Sequence, residues 1–164
     1  MLNFIKQSGA EKISLEDFKY FQNKYKITFS TGFKEFYLQN NGLKIFLCHI
    51  SEKHEVNSFL QLRGKWSIES VKDDEISDGL IPDYMIPFAY DRGGDFYYYN
   101  SNDGKVYLIR GDNIEKYILI ADSFDNFIDI MDNSNIVKPE ISKKWVKAEQ
   151  NDSKKIHMLQ RWIF

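Results

Sequence analysis

The clearest pattern of hydrophobic and polar positions lies between Ile86 and Arg110. Three runs rich in aromatic and β-branched residues stand there, separated by two turn signals, Asp91-Arg92-Gly93-Gly94 and Ser101-Asn102-Asp103-Gly104. Glycine suits such corners because it adopts positive φ without steric cost. The pattern predicts a three-stranded antiparallel meander at the centre of the fold.

The sequence predicts two helices before this meander. Ser14-Leu15-Glu16-Asp17 is typical of a capping box, and apolar residues at helical spacing continue from it to about Tyr25. A second helix is expected from a cap at Ser30-Thr31 to Asn40-Asn41-Gly42, where the glycine ends it.

Further elements flank the meander on both sides. The expected strands are Leu43–Ile50, Ser58–Leu62 and Glu115–Ile120, and the expected helices are Ile68–Asp74 and Phe124–Met131, the latter capped by Ser123. Strands and helices do not alternate regularly along the chain. This order predicts an α+β fold with an antiparallel sheet of about six strands and helices packed mainly on one face.

We expect one domain over residues 1–132 and a helical carboxy-terminal extension over residues 133–164. Apolar residues at helical spacing predict two short helices in the extension, over 141–148 and 156–163. Helices of this length are marginal in water, and Trp145 and Trp162 would expose large apolar surfaces unless packed. The extension is therefore expected to pack on the same domain or on a second copy.

Composition narrows the class of protein. The chain has 164 residues, a formal net charge of −2 and one cysteine, Cys48. Direct nucleic-acid binding is not expected, because it requires a strongly basic surface. The longest apolar run, Tyr117–Ala121, is too short for a signal sequence or a membrane span. Because one cysteine cannot form an internal disulfide, a cytoplasmic protein is expected.

No catalytic or cofactor motif is evident. Cys48, His49 and His54 match no zinc-ligand spacing, and a buried thiol beside two surface imidazoles explains them better. Asp91 and Asp95 flank a Gly-Gly pair, but turn geometry accounts for them better than a carboxylate pair or a phosphate loop. We therefore expect no enzyme, no metal site and no cofactor.

Three carboxylates share one face of the last predicted helix. Asp125, Asp129 and Asp132 lie at i, i+4 and i+7, opposite the apolar face of that helix. A calcium loop requires a different ligand alternation with a central glycine. A solvated helix face is therefore favoured over a partner surface.

Several separated motifs together resemble the SUKH superfamily. The motifs are Asn40-Asn41-Gly42, Ile86-Pro87-Phe88-Ala89, Gly93-Gly94-Asp95, Asp103-Gly104-Lys105-Val106-Tyr107 and Ile120-Ala121-Asp122-Ser123-Phe124. The likeness covers about Ser14 to Met131 and rests on the order and spacing of these motifs. It implies a SUKH-like α+β fold and, for a bacterial member, a non-catalytic immunity protein that neutralises a cognate polymorphic or contact-dependent toxin. Fungal relatives regulate cell-wall synthesis as interaction hubs.

The resemblance implies a protein partner, and the candidate contact residues are acidic or aromatic. Toxins neutralised by this superfamily are frequently nucleases, which present basic charge to their phosphate substrate. Acidic groups steer such a partner, and tyrosines anchor it. Alternation along Phe96–Tyr99 points two of the four side chains away from the helices. The candidates are Asp73, Asp74, Glu75, Asp78, Asp91, Asp95, Tyr97 and Tyr99.

Two other functions stay open at this point. One is a general protein-interaction or regulatory module like the fungal relatives, and the other is a small ligand-binding protein or hydrolase. A toxin gene next to the gene for this chain favours the immunity function, whereas an isolated gene favours the regulatory module. The sequence leaves open both the identity of the toxin and the choice between monomer and homodimer.

Overall fold

The computed structural model describes residues 10–133, apart from the side chains at positions 46, 47 and 133. Within that range four helices and six strands follow in the order α1 Leu15–Tyr25, α2 Thr31–Asn40, β1 Lys44–His49, β2 Glu55–Phe59, α3 Ile68–Asp78, β3 Met85–Tyr90, β4 Phe96–Asn100, β5 Val106–Arg110, β6 Asn113–Ala121 and α4 Phe124–Asn133. The expected α+β class is confirmed. The two helices predicted after residue 133 lie outside the described residues.

One antiparallel sheet contains all six strands, in the order β1-β2-β3-β4-β5-β6. Each strand pairs only with its neighbours in the sequence, as the predicted meander requires. The turns before β4 and β5 hold Gly94 at φ +89° and Gly104 at φ +75°. Residues with a side chain are strained at positive φ, so the chain turns at these two glycines. Strands β1 and β6 are the two edges of this sheet.

The first two helices begin where their capping residues predict. The backbone N–H of Ser14 donates to Oδ2 of Asp17 at 2.8 Å, and Ser30 Oγ accepts from the N–H of Phe33 at 3.1 Å. These contacts satisfy backbone groups that the first helical turn leaves unpaired. After α2, Gly42 adopts φ +65° and the chain leaves the helix for β1.

Two elements, β2 and α3, differ by three or more residues from their predicted bounds. Strand β2 begins three residues earlier, at Glu55, because a tight turn in which the Ile50 N–H donates to the His54 oxygen at 2.9 Å returns the chain directly to β1. Helix α3 continues to Asp78, four residues past its predicted end, before Gly79 at φ +65° stops it. Glu75 and Asp78, which the prediction placed after the helix, therefore lie on it with Asp73 and Asp74.

Helices α1, α2 and α4 pack on one face of the sheet around Phe33, which is completely buried. The centroid of its ring lies 4.7 Å from that of Phe124 and 4.8 Å from that of Phe29. On the sheet side the rings of Tyr99 and Phe88 follow at 5.2 Å and 6.1 Å. One aromatic cluster thus joins two helices, the loop before α2 and the two central strands.

Helix α3 extends from this core to the opposite face of the sheet. Val71 belongs to the aromatic core, whereas Glu75, one turn later, contacts Tyr98 on the other face. Between them Lys72 is only 1% exposed, and its Nζ donates to the main-chain oxygen of Met85 at 3.0 Å. Burial lowers the pKa of this lysine.

Glu75 is a half-buried acid on the side of α3 that faces the sheet. Its Oε1 accepts a hydrogen bond from the Tyr98 hydroxyl, whereas its buried Oε2 has no hydrogen-bond partner among the described residues. Burial raises the pKa of Glu75 to about 7, against the opposing effects of the Tyr98 hydrogen bond and the Lys72 charge. An uncharged carboxyl group therefore fits this position better than a carboxylate does.

Replacing Phe33 by alanine should lower the free energy of unfolding by about 3–5 kcal/mol, because the buried ring is lost and a cavity remains. Leu38→Ala on the same helix is the matched control, since Leu38 is 39% exposed. It should change the free energy of unfolding by less than about 1 kcal/mol. Urea denaturation measures both, and equal losses would contradict the central place given to Phe33.

Stability should fall as the pH rises from about 5 to about 8. The folded chain holds the Glu75 proton up to about pH 7, whereas the unfolded chain releases it near the ordinary pKa of 4.5. The stabilising contribution is therefore complete below the unfolded pKa and is lost as the pH rises through the folded one. In the Glu75→Gln variant the decrease in the free energy of unfolding over this pH range should be smaller, by on the order of 2–3 kcal/mol. Urea titrations across the range measure it, with Asp78→Asn on the same helix as control, and a Glu75→Gln profile parallel to the wild type would contradict it.

Candidate protein interaction surface

The acids predicted on α3 divide into two that bond to neighbouring elements and two that do not. Asp73 accepts hydrogen bonds from Lys24 Nζ at 2.8 Å and from the Tyr25 hydroxyl at 2.5 Å, which tie α3 to α1. Partial burial opposes ionisation of Asp73, but these hydrogen bonds outweigh it and lower its pKa. Glu75 bonds to Tyr98 of the sheet, as described above. Two of the four predicted acids, Asp73 and Glu75, therefore form hydrogen bonds that attach α3 to other elements.

The other two acids of α3 are available to a partner. Asp74 and Asp78 are exposed, and neither forms an ion pair or side-chain hydrogen bond with any residue in the described part of the chain. The following loop adds Asp83, whose exposed carboxylate is likewise unpaired there. This end of α3 therefore carries three exposed carboxylates that form no ion pair within the described residues.

Asp91 and Asp95 stabilise the turn between β3 and β4. Asp91 Oδ1 accepts from the backbone N–H of Asp95 at 2.9 Å, and Asp95 Oδ1 accepts from the N–H of Gly111 at 2.9 Å. Asp95 also lies 3.7 Å from Nε of Arg110. Burial raises the pKa of Asp91. Both carboxylates are thus occupied by local contacts, as turn geometry predicts.

The expectation that Tyr97 and Tyr99 form an exposed pair is wrong. They are 0% and 3% exposed, and they face the helices. The Tyr97 hydroxyl donates to the Glu55 main-chain oxygen at 2.6 Å, and the Tyr99 hydroxyl accepts from the N–H of Ser30 at 3.1 Å. The register of β4 decides this, because the cross-strand partner of Tyr97 is Leu108, which lies in the same core.

The alternate residues of β4 point to the opposite face of the sheet, where side chains form two rows across four strands. The strand register aligns Tyr90, Phe96, Ile109 and Tyr117 in one row and Pro87, Tyr98, Tyr107 and Leu119 in the next. In these rows the rings of Phe96 and Tyr98 lie 6.3 Å apart, as do those of Tyr107 and Tyr117. Strand alternation already implied such a face, but the sequence did not fix which residues belong to it.

One end of this face is accessible. Tyr84 is 37% exposed, Tyr117 38% and Leu119 51%, and Tyr107 is half-buried among them. Burial raises the pKa of Tyr117, and the charge of Tyr84 adds to this shift. We call these four residues, Tyr84, Tyr107, Tyr117 and Leu119, the tyrosine patch.

Trp66 lies at the other end of the same face. Its ring centroid is 5.9 Å from those of both Tyr90 and Phe96. Its backbone adopts φ +51°, a conformation that is uncommon and strained for a bulky residue. Sequence reasoning did not single out this tryptophan, because nothing local signals a left-handed backbone at that position.

The helical side of the sheet carries an open groove of about 380 Å³ between α2 and α4. Phe36 lines it with the carboxylates of Glu35, Asp125 and Asp129. The Asp125 carboxylate lies against Gly32, where an added Cβ would come within 1.7 Å of its Oδ1. The acids of α4 are exposed, consistent with the solvated helix face that their spacing predicts.

Metal-ligating residues are not gathered in one place within residues 10–133, where no group of three or more His, Cys, Asp or Glu side chains is arranged to hold an ion. Cys48 is buried, with its thiol 3.8 Å from the main-chain oxygen of Met131. His49 and His54 are half-buried at the β1–β2 hairpin.

The chain matches one known family over almost the same residues as the described fold. None of the helices in residues 10–133 combines the length and hydrophobicity that a membrane crossing requires. No curated protein matches the chain. The model of the SMI1 / KNR4 family (SUKH-1) matches residues 12–130, from just before α1 to within α4. The resemblance seen in the separated motifs is therefore confirmed, and the chain belongs to the SMI1 / KNR4 family (SUKH-1) of the SUKH superfamily.

Proposed function

We propose that this chain is a non-catalytic immunity protein that binds and neutralises a cognate polymorphic or contact-dependent bacterial toxin. The observation that carries the proposal is the family match over residues 12–130, which includes nearly all of the described domain. The family is generally non-catalytic. A protein of this kind acts by covering a surface of its target, so its effect depends on binding affinity and on which surface it covers, not on catalysis.

The charge distribution supports a basic target, of which a nuclease is one class. A nuclease concentrates cationic side chains around its phosphate-binding site. Asp74 and Asp78 on α3 meet the requirement for exposed, unpaired carboxylates that attract such a surface. Asp73 and Glu75 support this arrangement indirectly, because their contacts hold the helix in place.

We propose the cytoplasm as the site of action. An inhibitor of a toxin that attacks intracellular targets must be present where the toxin acts. The single cysteine of the chain, Cys48, is buried and forms no disulfide, so the described domain does not depend on an oxidising compartment.

Co-expression tests the function directly. The toxin domain encoded next to this gene should stop growth of a host cell when expressed alone, and this chain should restore growth when expressed with it. The two proteins should then co-purify at a fixed stoichiometry. Continued toxicity together with no complex between the purified proteins would contradict the proposal, and complex formation only with a non-toxic host protein would favour the regulatory module instead.

The double variant Asp74→Asn/Asp78→Asn tests the electrostatic part. It should slow association with the toxin domain several-fold at low salt and much less at high salt, because exposed charges are screened over about 10 Å at 0.1 M. Stopped-flow or biosensor kinetics measure the rate. Glu35→Gln/Glu52→Gln is the matched control, since it removes two exposed acids on α2 and the β1–β2 turn. Equal salt dependence in both double variants would exclude α3 from the interface.

A further inference from the structure

We propose that the tyrosine patch is the docking surface of this chain, and that it takes an apolar area of the toxin domain flanked by lysine or arginine side chains. This inference rests on the proposed function and names the surface and the chemistry of the partner. The anchors differ from the buried tyrosines Tyr97 and Tyr99, which the sequence suggested.

The position of the patch in the fold supports this assignment. Helices α1, α2 and α4 cover one face of the sheet, whereas the patch lies on the opposite face, at its β6 edge. Tyr117 and Leu119 are 38% and 51% exposed on that strand, although both carry large apolar side chains. Contiguous apolar side chains that remain exposed on a folded domain commonly mark an interaction site.

Unused hydrogen-bonding capacity distinguishes Tyr84 and Tyr117 from the neighbouring Tyr98 and Tyr107. The Tyr98 hydroxyl donates to Glu75, and the Tyr107 hydroxyl donates to Oδ2 of Asp103 at 2.9 Å. By contrast, the hydroxyls of Tyr84 and Tyr117 bond to no residue in positions 10–133. Each offers a rigid apolar ring with an unused polar tip, the combination that makes tyrosine common at binding hot spots.

The charges around the patch identify the kind of partner. Asp78 and Asp83 flank the loop that leads into Tyr84, and both are exposed without an ion-pair partner among the described residues. The bases closest in sequence to Tyr107, Lys105 and Arg110, are both paired with acids. Lys105 Nζ lies 3.9 Å from Asp122, and Arg110 Nε lies 3.3 Å from Asp112 and 3.7 Å from Asp95. The surroundings are thus negative, which favours a partner with basic side chains around its apolar centre.

The same charges argue against a second copy as the occupant. Two copies related by a two-fold axis would place the same patch against itself. Both copies would bring the same exposed acids, Asp78 and Asp83, to the rim of one interface, and like charges collected there are unfavourable. A basic partner meets no such repulsion.

The test measures binding of the purified toxin domain from the adjacent gene to patch variants and to matched controls. Tyr117→Thr/Leu119→Thr removes two anchors and keeps β-branched side chains that suit a strand. We expect it to weaken affinity by about tenfold or more, mainly through faster dissociation. Asp78→Asn/Asp83→Asn should slow association about threefold at low salt. Leu38→Ala and Glu35→Gln on α2 should leave affinity within about twofold.

The outcomes separate this inference from the proposed function. Circular dichroism and urea denaturation first establish that each variant is folded. Wild-type affinity in the folded Tyr117→Thr/Leu119→Thr variant, with neutralisation intact, would overturn the docking surface and leave the immunity function standing. Loss of a homodimer in that variant with unchanged toxin affinity would also overturn it. If the wild-type chain binds no toxin domain, the function fails and the docking surface fails with it.

Discussion

The stacking of aromatic side chains between the helices and the sheet is the constraint on which the rest of the structure depends. Phe33 occupies the centre, with Phe124 from α4 on one side and Tyr99 and Phe88 from the strands on the other. Aromatic rings bury large apolar areas, so this cluster dominates the core. Because β4 contributes to it, the register of the whole meander is set, and the alternate side chains of every central strand must face the other way.

Helix α3 is placed by a second, more polar set of contacts. Its first turns join the aromatic core, Lys72 is buried next to them, and Glu75 is half-buried against the other face of the sheet. Each has a pKa shifted toward its neutral form, because burial disfavours charge on both. Their hydrogen bonds to the main chain and to Tyr98 compensate in part and attach α3 to the sheet. Attachment of the acidic helix is therefore coupled to protonation, whereas the aromatic core is not.

This division explains how an acidic segment serves two purposes. Glu75 faces the sheet, and Asp73, although exposed, bonds to Lys24 and Tyr25 of α1, so both acids are engaged within the chain. Asp74 and Asp78 face outward on the same helix. A helix with one packed side imposes this separation on any run of like residues. The number of acids in a sequence segment therefore overstates the charge that a partner meets. The proposed interface uses only Asp74 and Asp78 of this helix.

The sequence by itself determined the local elements. Capping at Ser14 and Ser30, and glycines with positive φ at the turns, act within a few residues, so the helix starts and the meander could be predicted. It could not determine which way Tyr97 points, because alternation specifies two faces without identifying the buried one. Only the tertiary structure decided that, by pairing Tyr97 with Leu108 in the core. The tyrosine patch was hidden for the same reason: Tyr84, Tyr107 and Tyr117 come from three segments that meet only when the sheet forms.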